Sequence, residues 1–251
     1  MKQIPCADYH QYCNAAASAS GDPVYPLSVA EGVQSGDIFV SGDTVLFWHM
    51  CGFAYLSGRP DAVLLDKITA RFLEDPPPAR RFLLISDDPD VCAYLTANGL
   101  PAEQRIYYHA DRIAADPVLP EGFLLRRIDA GLLPRMSGHI VPAWSWDTPE
   151  RFLANGFGYC VMHGETVAAA AFTAAVTAKY ADIGVETAAD YRRMGLAKAA
   201  AAAVMREIAA QGKMPVWAHH IANTGSMRTA ESLGFVRDRL CTTFRRVNPS
   251  E

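Results

Sequence analysis

No run of about 18 apolar residues occurs anywhere in the chain, so the sequence offers no bilayer-spanning helix. The opening stretch "MKQIPCADYHQYCNAAASAS" also lacks the unbroken apolar segment of a secretory leader, and the expected address is the cytoplasm. Neither sign of charge dominates: 23 Lys and Arg face 27 Asp and Glu, and the net charge of -4 gives no general field for polyanions. Nucleic acid and membrane are therefore not expected partners, and any anion site must be local. The six cysteines fall in no C-x-x-C pair, which argues for reduced thiols over a disulfide framework. Cys6, His10 and Cys13 would share one face of a helix, a spacing that can contribute ligands to zinc, but no second half of such a site follows. Small buried side chains are the expectation there, with no metal. No internal repeat of fixed period is present.

What is there is the composition of a folded protein: 50% of the 251 residues are hydrophobic and 20% are charged. The length favours two domains over one. "AADPVLPEG", residues 114 to 122, carries two prolines and a glycine and is the best linker, which puts a boundary near residue 118. Residues 1–118 read as a mixed α/β domain. A helix is expected over 6–18, paired strands in "DIFVSGDTVLFWHMCGFAYLSG", a helix over 60–74, a strand at "RFLLIS", a capped helix at "DPDVCAYLTANG" and a strand at "QRIYYHA". Residues 119–251 open with the strand "GFLLRRID" and a helix near 129–138. An aromatic loop, "IVPAWSWDTPERF", leads into a short helix. Three strands follow in close succession, "GFGYCVMHG", "ETVAAAAFTAA" and "KYADIGVET", then a long helix, the strand "MPVWAHHIA", the helix "NTGSMRTAESLGF" and a last strand "VRDRLCTTFRR". The fold class is α/β, a central mixed sheet flanked by helices in the C-terminal half, preceded by a smaller mixed α/β domain.

The long helix is rich in alanine, and Leu196, Ala200, Val204 and Ile208 form an i, i+4 stripe able to pack on a sheet before Gly212 stops the helix. The turn before it, "RRMGLA", runs from Arg192 to Ala197. The minimal side chains of Gly195 and Ala197 let another group approach the backbone just where the first free N–H groups of the helix emerge. The helix dipole adds about half a positive charge there, so a phosphate or pyrophosphate suits the position, with Arg192 or Arg193 to reinforce it. A Walker A loop would need Gly-Lys-Ser/Thr, and a dinucleotide fingerprint two more spaced glycines; neither is present. A tight strand-to-helix turn with solvated arginines is the alternative reading of the same residues.

Strand, R-x-x-G-x-A, long helix, strand, Asn223, Ser226 and Gly234-Phe235 together resemble the GNAT superfamily of acyl-CoA-dependent N-acyltransferases over roughly residues 119 to 251. The stretches "FLANGFGYCVMHGETVAAAAF", "IGVETAADYRRMGLA" and "NTGSMRTAESLGF" look most like the branch that includes zwittermicin-resistance-type acetyltransferases. The resemblance implies acetyl-CoA as cosubstrate. Its pyrophosphate would lie on the turn formed by Arg192, Arg193, Met194, Gly195, Leu196 and Ala197. Its pantetheine arm would pair with the main chain of the strand holding Ile183 and Val185, and Asn223 would contact it. Many members place a tyrosine seven residues after that Asn to protonate the departing thiolate; here the position is Ala230. Ser226 or water would have to deliver the proton, although Ser226 can equally bond its own helix terminus.

An alkylamine has a pKa of about 10.4 and attacks only when neutral, so a base or a water relay is required. Strand alternation puts Asp182, Gly184 and Glu186 opposite Ile183 and Val185, and Glu186 is the expected base, with Asp182 near the acceptor. Trp144, Trp146 and Asp147 lie in the loop that in this superfamily borders the acceptor, although core packing suits the tryptophans as well. His219 and His220 point to opposite faces of one strand, and neither is the first base expected. The expected function is transfer of acetyl from acetyl-CoA to a primary amine of a small molecule, without metal. The alternatives are a noncatalytic acyl-CoA sensor and a protein lysine or N-terminal acetyltransferase. A homodimer is compatible with the sequence, which does not specify one.

Overall fold

The computed structural model describes residues 1–74, 79–110, 112 and 117–246. Contacts group Met1–Ile106 with the segment from Arg239 onward, and Tyr107–Asp238 separately. The chain passes from one unit to the other inside strands β6 (Ala102–His109) and β12 (Val236–Phe244). This division differs from a boundary near 118. Of the linker segment, residues 114–116 lie outside the described residues, and 117–122 are irregular. Arg239 onward joins the first unit because Thr242, Thr243 and Phe244 of β12 pair antiparallel with Ser86, Ile85 and Leu84 of β5 (Leu83–Ser86).

In the first unit, a 3-10 helix over Cys6–Tyr12 runs into α1 (Cys13–Ala17), and α2 (Val24–Ala30) follows. The sequence reading does not contain α2. Its Pro26 sits in the first turn, where a backbone N–H has no helical acceptor to lose. The expectation of buried cysteines near the N-terminus is corrected: Cys6 is exposed and Cys13 half-buried, because Tyr9 takes the inward position and donates its hydroxyl to Gly36 O at 3.1 Å. Strands β1 (Lys2–Gln3), β2 (Gly36–Ser41), β3 (Thr44–His49) and β4 (Phe53–Ser57) pair antiparallel in sequence order, and β4 pairs in parallel with β5. Helices α3 (Ala62–Phe72) and α4 (Pro89–Ala97) begin at Asp61 and Asp88, whose carboxylates accept first-turn N–H groups. Their apolar faces meet the sheet in a core that includes Leu56, Ile68, Phe72, Leu84, Leu95 and Phe244.

In the second unit, β7 (Phe123–Arg127), β8 (Gly158–His163), β9 (Thr166–Val176) and β10 (Tyr180–Thr187) form an antiparallel run, and β10 pairs in parallel with β11 (Met214–His220). The helix expected near 129–138 is only a 3-10 turn over Leu133–Arg135. Pro134 removes a donor there, and Asp129 Oδ1 takes the N–H of Leu132 at 2.8 Å. A second 3-10 turn, Pro142–Trp144, precedes α5 (Pro149–Asn155). Helix α6 (Leu196–Ala210) packs on β8, β9 and β10. The expected stripe is the packed face: Leu196, Ala200, Val204 and Ile208 are no more than 1% exposed. Ala168 to Ala171 of β9 are also buried, and the small side chains that alternate onto the α6 face let the helix lie close to the sheet. Gly212, at φ 71°, ends α6 as expected. Helix α7 (Thr224–Ser232) follows β11.

Candidate active site

The site begins where two parallel strands part. Strand β10 pairs with β11 only over Tyr180, Ala181 and Asp182, opposite Met214, Pro215 and Val216. From Ile183 to Thr187 its partner is β9 alone among the described residues, which leaves one backbone edge open. At that point the register against β9 shifts: Asp182 faces Ala175 but Ile183 faces Thr173, so β9 bulges at Ala174. A bulge bends and twists its strand, which suits a divergence. Gly184 lies in the open segment because a Cβ there would sit 2.9 Å from Phe172 Cζ and 3.2 Å from Ile140 Cγ2.

The open strand leads through a 3-10 turn, Ala189–Tyr191, to the start of α6. Arg193 has φ 65° and Gly195 φ 78°, both left-handed; for the arginine this costs about 1–2 kcal/mol. Gly195 is the N-cap of α6 and supplies no side chain, whereas Asp61, Asp88, Thr148 and Asn223 cap their helices with side-chain oxygens. The i to i−4 ladder starts with Ala199 N–H on Gly195 O at 3.1 Å, so the N–H groups of Leu196, Ala197 and Lys198 have no intrahelical acceptor. Arg192, Arg193 and Met194 are exposed around them, and Arg192 Nε lies 3.4 Å from Thr187 O. These orphan donors, one residue after a glycine with nothing within 4 Å of its Cβ direction, fit an anionic phosphate group.

Glu186, on the open segment, is held from above. Its Oε2 accepts the backbone N–H groups of His139 at 3.0 Å and Ile140 at 2.9 Å, and Oε1 has no protein donor among the described residues. Gly138, at φ 118°, permits this: a Cβ there would fall 2.6 Å from Glu186 Cγ. The carboxylate lines a small pocket with Met136, Ser137, Val141 and the alanines of β9. No local pattern announces this clasp, because 46 and 47 residues separate its two sides. Asp182 is 9% exposed and lies on the paired part of β10, outside that pocket.

Asn223 caps α7, its Oδ1 accepting Ser226 N–H at 3.0 Å, which leaves its amide NH₂ as the group able to reach a ligand. Ser226 Oγ accepts from Trp217 Nε1 at 2.9 Å, which still leaves its own proton to give. Ala230 is fully buried, so no hydroxyl comes from that position. His219 is 3% exposed and engaged at both nitrogens, Nδ1 with His220 O at 2.8 Å and Nε2 with Tyr108 Oη at 3.1 Å. The neighbouring carbonyl fixes the proton on Nδ1, so Tyr108 donates to Nε2, and the pair is a structural one.

Trp146 is 2% exposed, donates Nε1–H to Thr173 O at 2.8 Å and packs edge-on against Phe152. It forms the floor of a groove of about 550 Å³ whose rim includes Asp147, itself 3.1 Å from Arg151. Trp144 is half-buried and lines neither this groove nor the Glu186 pocket. Beside the helix start, Tyr191 Oη lies 3.2 Å from His163 Nδ1, and His163 stacks on Phe123 at 4.8 Å. The sequence reading missed this cluster, whose members lie on three separate elements.

Fold and site together define an α/β acyltransferase. The chain belongs to the GNAT acetyltransferase family, which it matches over residues 22–244, reaching well into the first unit. It is thus an N-acetyltransferase of a family that in general uses acetyl-CoA. The uncharacterized N-acetyltransferase YdfB of Bacillus subtilis (strain 168) is 25% identical over 221 residues, 85% of this chain and 79% of the relative. The crystal structure of a GCN5-related N-acetyltransferase-like protein from Streptococcus suis 89/1591 superposes with a TM-score of 0.74 at 22% identity, covering 96% of this chain and 99% of that one. A GNAT-family acetyltransferase from Novosphingobium aromaticivorans gives a TM-score of 0.57 at 20% identity, with 84% and 92% covered. These two likenesses speak for the fold. Among the described residues, no helix is long and apolar enough to cross a membrane, and no group of three His, Cys, Asp or Glu could hold a metal ion.

Proposed function

We propose that the protein transfers the acetyl group of acetyl-CoA to a primary amine of a small molecule, by direct attack within a ternary complex. The observation that carries this reading is the open edge of β10 from Ile183 to Thr187, which leads to the uncapped start of α6 and carries Glu186 on the same segment. The N–H groups of Leu196, Ala197 and Lys198, with Arg192 and Arg193, suit the pyrophosphate, and the main chain of Ile183 and Val185 suits the pantetheine amides. Met194 and Gly195 shape the turn, and Asn223 reaches the same ligand through its amide. The backbone N–H near Val185 serves as oxyanion donor.

Glu186 takes the amine proton, directly or through one water, as the C–N bond forms and the C–S bond breaks. The two N–H groups on Oε2 fix the carboxylate and leave Oε1 for this task. The departing thiolate takes a proton from Ser226 or water. The motif stretches quoted above support a place in the zwittermicin-resistance-type branch. Thiol release from acetyl-CoA across small amines, antibiotics and peptides tests the reading, together with calorimetric binding of acetyl-CoA. Binding without thiol release from any amine would refute the transfer. Release with peptides alone would move the acceptor to a protein lysine or N-terminus.

A further inference from the structure

The groove floored by Trp146 shares two wall residues, Met136 and Val141, with the pocket that holds the Glu186 carboxylate. It therefore adjoins the proposed base directly, separated by two flexible or small apolar side chains. Its volume of about 550 Å³ lies in the range that encloses a small organic molecule. Leu133, Met136, Val141 and Leu153 make its walls apolar, and Leu153 presents 39% of its surface to solvent. The ionisable residues lining it are carboxylates, Asp147 and Glu150. Arg151 holds Asp147 at 3.1 Å, and Glu150 has no protein cation on it among the described residues. The one hydroxyl of the lining, on Thr148, already accepts the N–H of Arg151 as the cap of α5.

We infer that this groove holds the body of the acceptor, and that the acceptor is a primary amine on a hydrocarbon or aryl skeleton, as opposed to a polyhydroxylated amine. The inference rests on the acetyl-transfer reading for its last step but not for binding. Apolar walls reward buried methylenes, each by about fourfold in affinity. Hydroxyls set against Leu133, Met136 and Val141 would lose water without finding partners there, since the polar side chains of the lining, Asp147, Thr148 and Glu150, are exposed and lie together on one short segment. The carboxylate of Glu150 gives the groove a field that favours a cationic ligand, and the amine lies toward Met136, Val141 and Glu186. Leu133, Met136, Val141 and Leu153 are on this argument the residues that set acceptor specificity.

Binding of dansylcadaverine, a fluorescent primary amine on a five-carbon chain, to the full-length protein tests this without turnover. Enhanced, blue-shifted emission is expected, with n-octylamine displacing the probe at concentrations about 100-fold below ethanolamine. Leu153→Lys puts a cation into the groove from an exposed helix face and should weaken the probe at least tenfold, with acetyl-CoA affinity within twofold of the parent. Glu150→Gln is the second variant: it should weaken n-octylamine severalfold and leave n-octanol unchanged. Absence of probe binding, equal displacement by ethanolamine, or indifference of the probe to Leu153→Lys in a folded variant would overturn the inference. Probe binding as described with no thiol release from any amine would refute acetyl transfer and leave the groove standing. Thiol release as fast with ethanolamine or an aminoglycoside as with n-octylamine would do the reverse.

Discussion

Replacing Gly138 with alanine perturbs the candidate base without touching it chemically. The added Cβ would fall 2.6 Å from Glu186 Cγ, 2.7 Å from Cδ and 2.9 Å from Oε2, and the backbone there has φ 118°. Neither neighbour can yield cheaply: Glu186 is pinned by two N–H groups, and the loop is the piece that supplies them. The left-handed conformation alone costs an alanine about 1–3 kcal/mol. A hydrogen bond to a charged group contributes about 1.5–3 kcal/mol, and relief of the clash sacrifices at least part of one. Partial relaxation gives an expected loss of about 2–4 kcal/mol, or roughly 4–16 °C in Tm for a chain of this length. If Glu186 is the base, turnover should fall by about 10² to 10⁴ while acetyl-CoA affinity stays nearly constant. Glu186→Gln keeps the shape and should lower turnover similarly with a smaller loss of Tm. The double variant decides between position and coincidence. Since Gly138 acts through Glu186, the double variant should turn over no slower than Glu186→Gln alone. Multiplied rate losses would refute the clasp as a device for positioning this carboxylate.

Gly195→Asp places a negative charge beside the open N–H groups of α6 and should weaken acetyl-CoA by about 100-fold or more; unchanged calorimetric affinity in a folded variant would remove the phosphate reading of this turn. Burial alone would raise the pKa of Glu207, but Arg127 at 2.6 Å and the Tyr159 hydroxyl at 2.8 Å outweigh it and hold the carboxyl below its ordinary value. A depressed carboxyl stabilises the fold above its unfolded pKa and loses that effect as pH falls through its folded value, so Glu207→Gln should cost stability at pH 7 and less in acid below that folded value, as read in urea melts. An equal gap at both would contradict the assignment. A fragment of residues 119–251 separates β12 from β5 and uncovers Phe244, so circular dichroism should show it less structured than a stable domain; a cooperative melt would show that the second unit does not need that pairing covered. Ser226→Ala should reduce turnover less than about tenfold, and a loss comparable to Glu186→Gln would make Ser226 the acid.

What the sequence displayed and what it hid follow a physical rule. The start of α6 was legible because its parts are consecutive: Arg192, Gly195 and the alanines announce a turn, a left-handed residue and a helix within one short stretch. The stripe from Leu196 to Ile208 was legible because helical period and burial agree. The clasp on Glu186 was not, because Gly138 looks like any loop glycine until Glu186 comes to lie under it. The same holds for Tyr191, His163 and Phe123, which meet only after three elements assemble. Helix α2 is hidden in the sequence because proline reads as a breaker unless it falls in a first turn, and the helical spacing near 129–138 yields only a 3-10 turn because Pro134 is a breaker there. The affiliation of β12 with the first unit is a fact of pairing, and its residues "VRDRLCTTF" fit a strand in either unit.

The buried alanine at position 230 and the clasped glutamate can be weighed on the same scale. At pH 7 an alkylamine with a pKa of about 10.4 is neutral in about one molecule in 2,500, whereas a thiol with a pKa of about 8.5 gives a thiolate that departs readily. The costly proton is therefore the one on the attacking nitrogen. On the proposed mechanism the fixed polar groups are distributed in the same sense: Glu186 receives two backbone donors and lies under a glycine, while Ser226 offers one hydroxyl that accepts from Trp217. With Ala230 at the position where the family resemblance places a tyrosine, it is the easier of the two transfers that goes without side-chain assistance from that position. On this argument the rate should rise with pH as the neutral amine becomes available and should show no loss at high pH from a thiol-protonating acid. A bell-shaped kcat profile with an alkaline limb that a titrating protein acid must supply would overturn it.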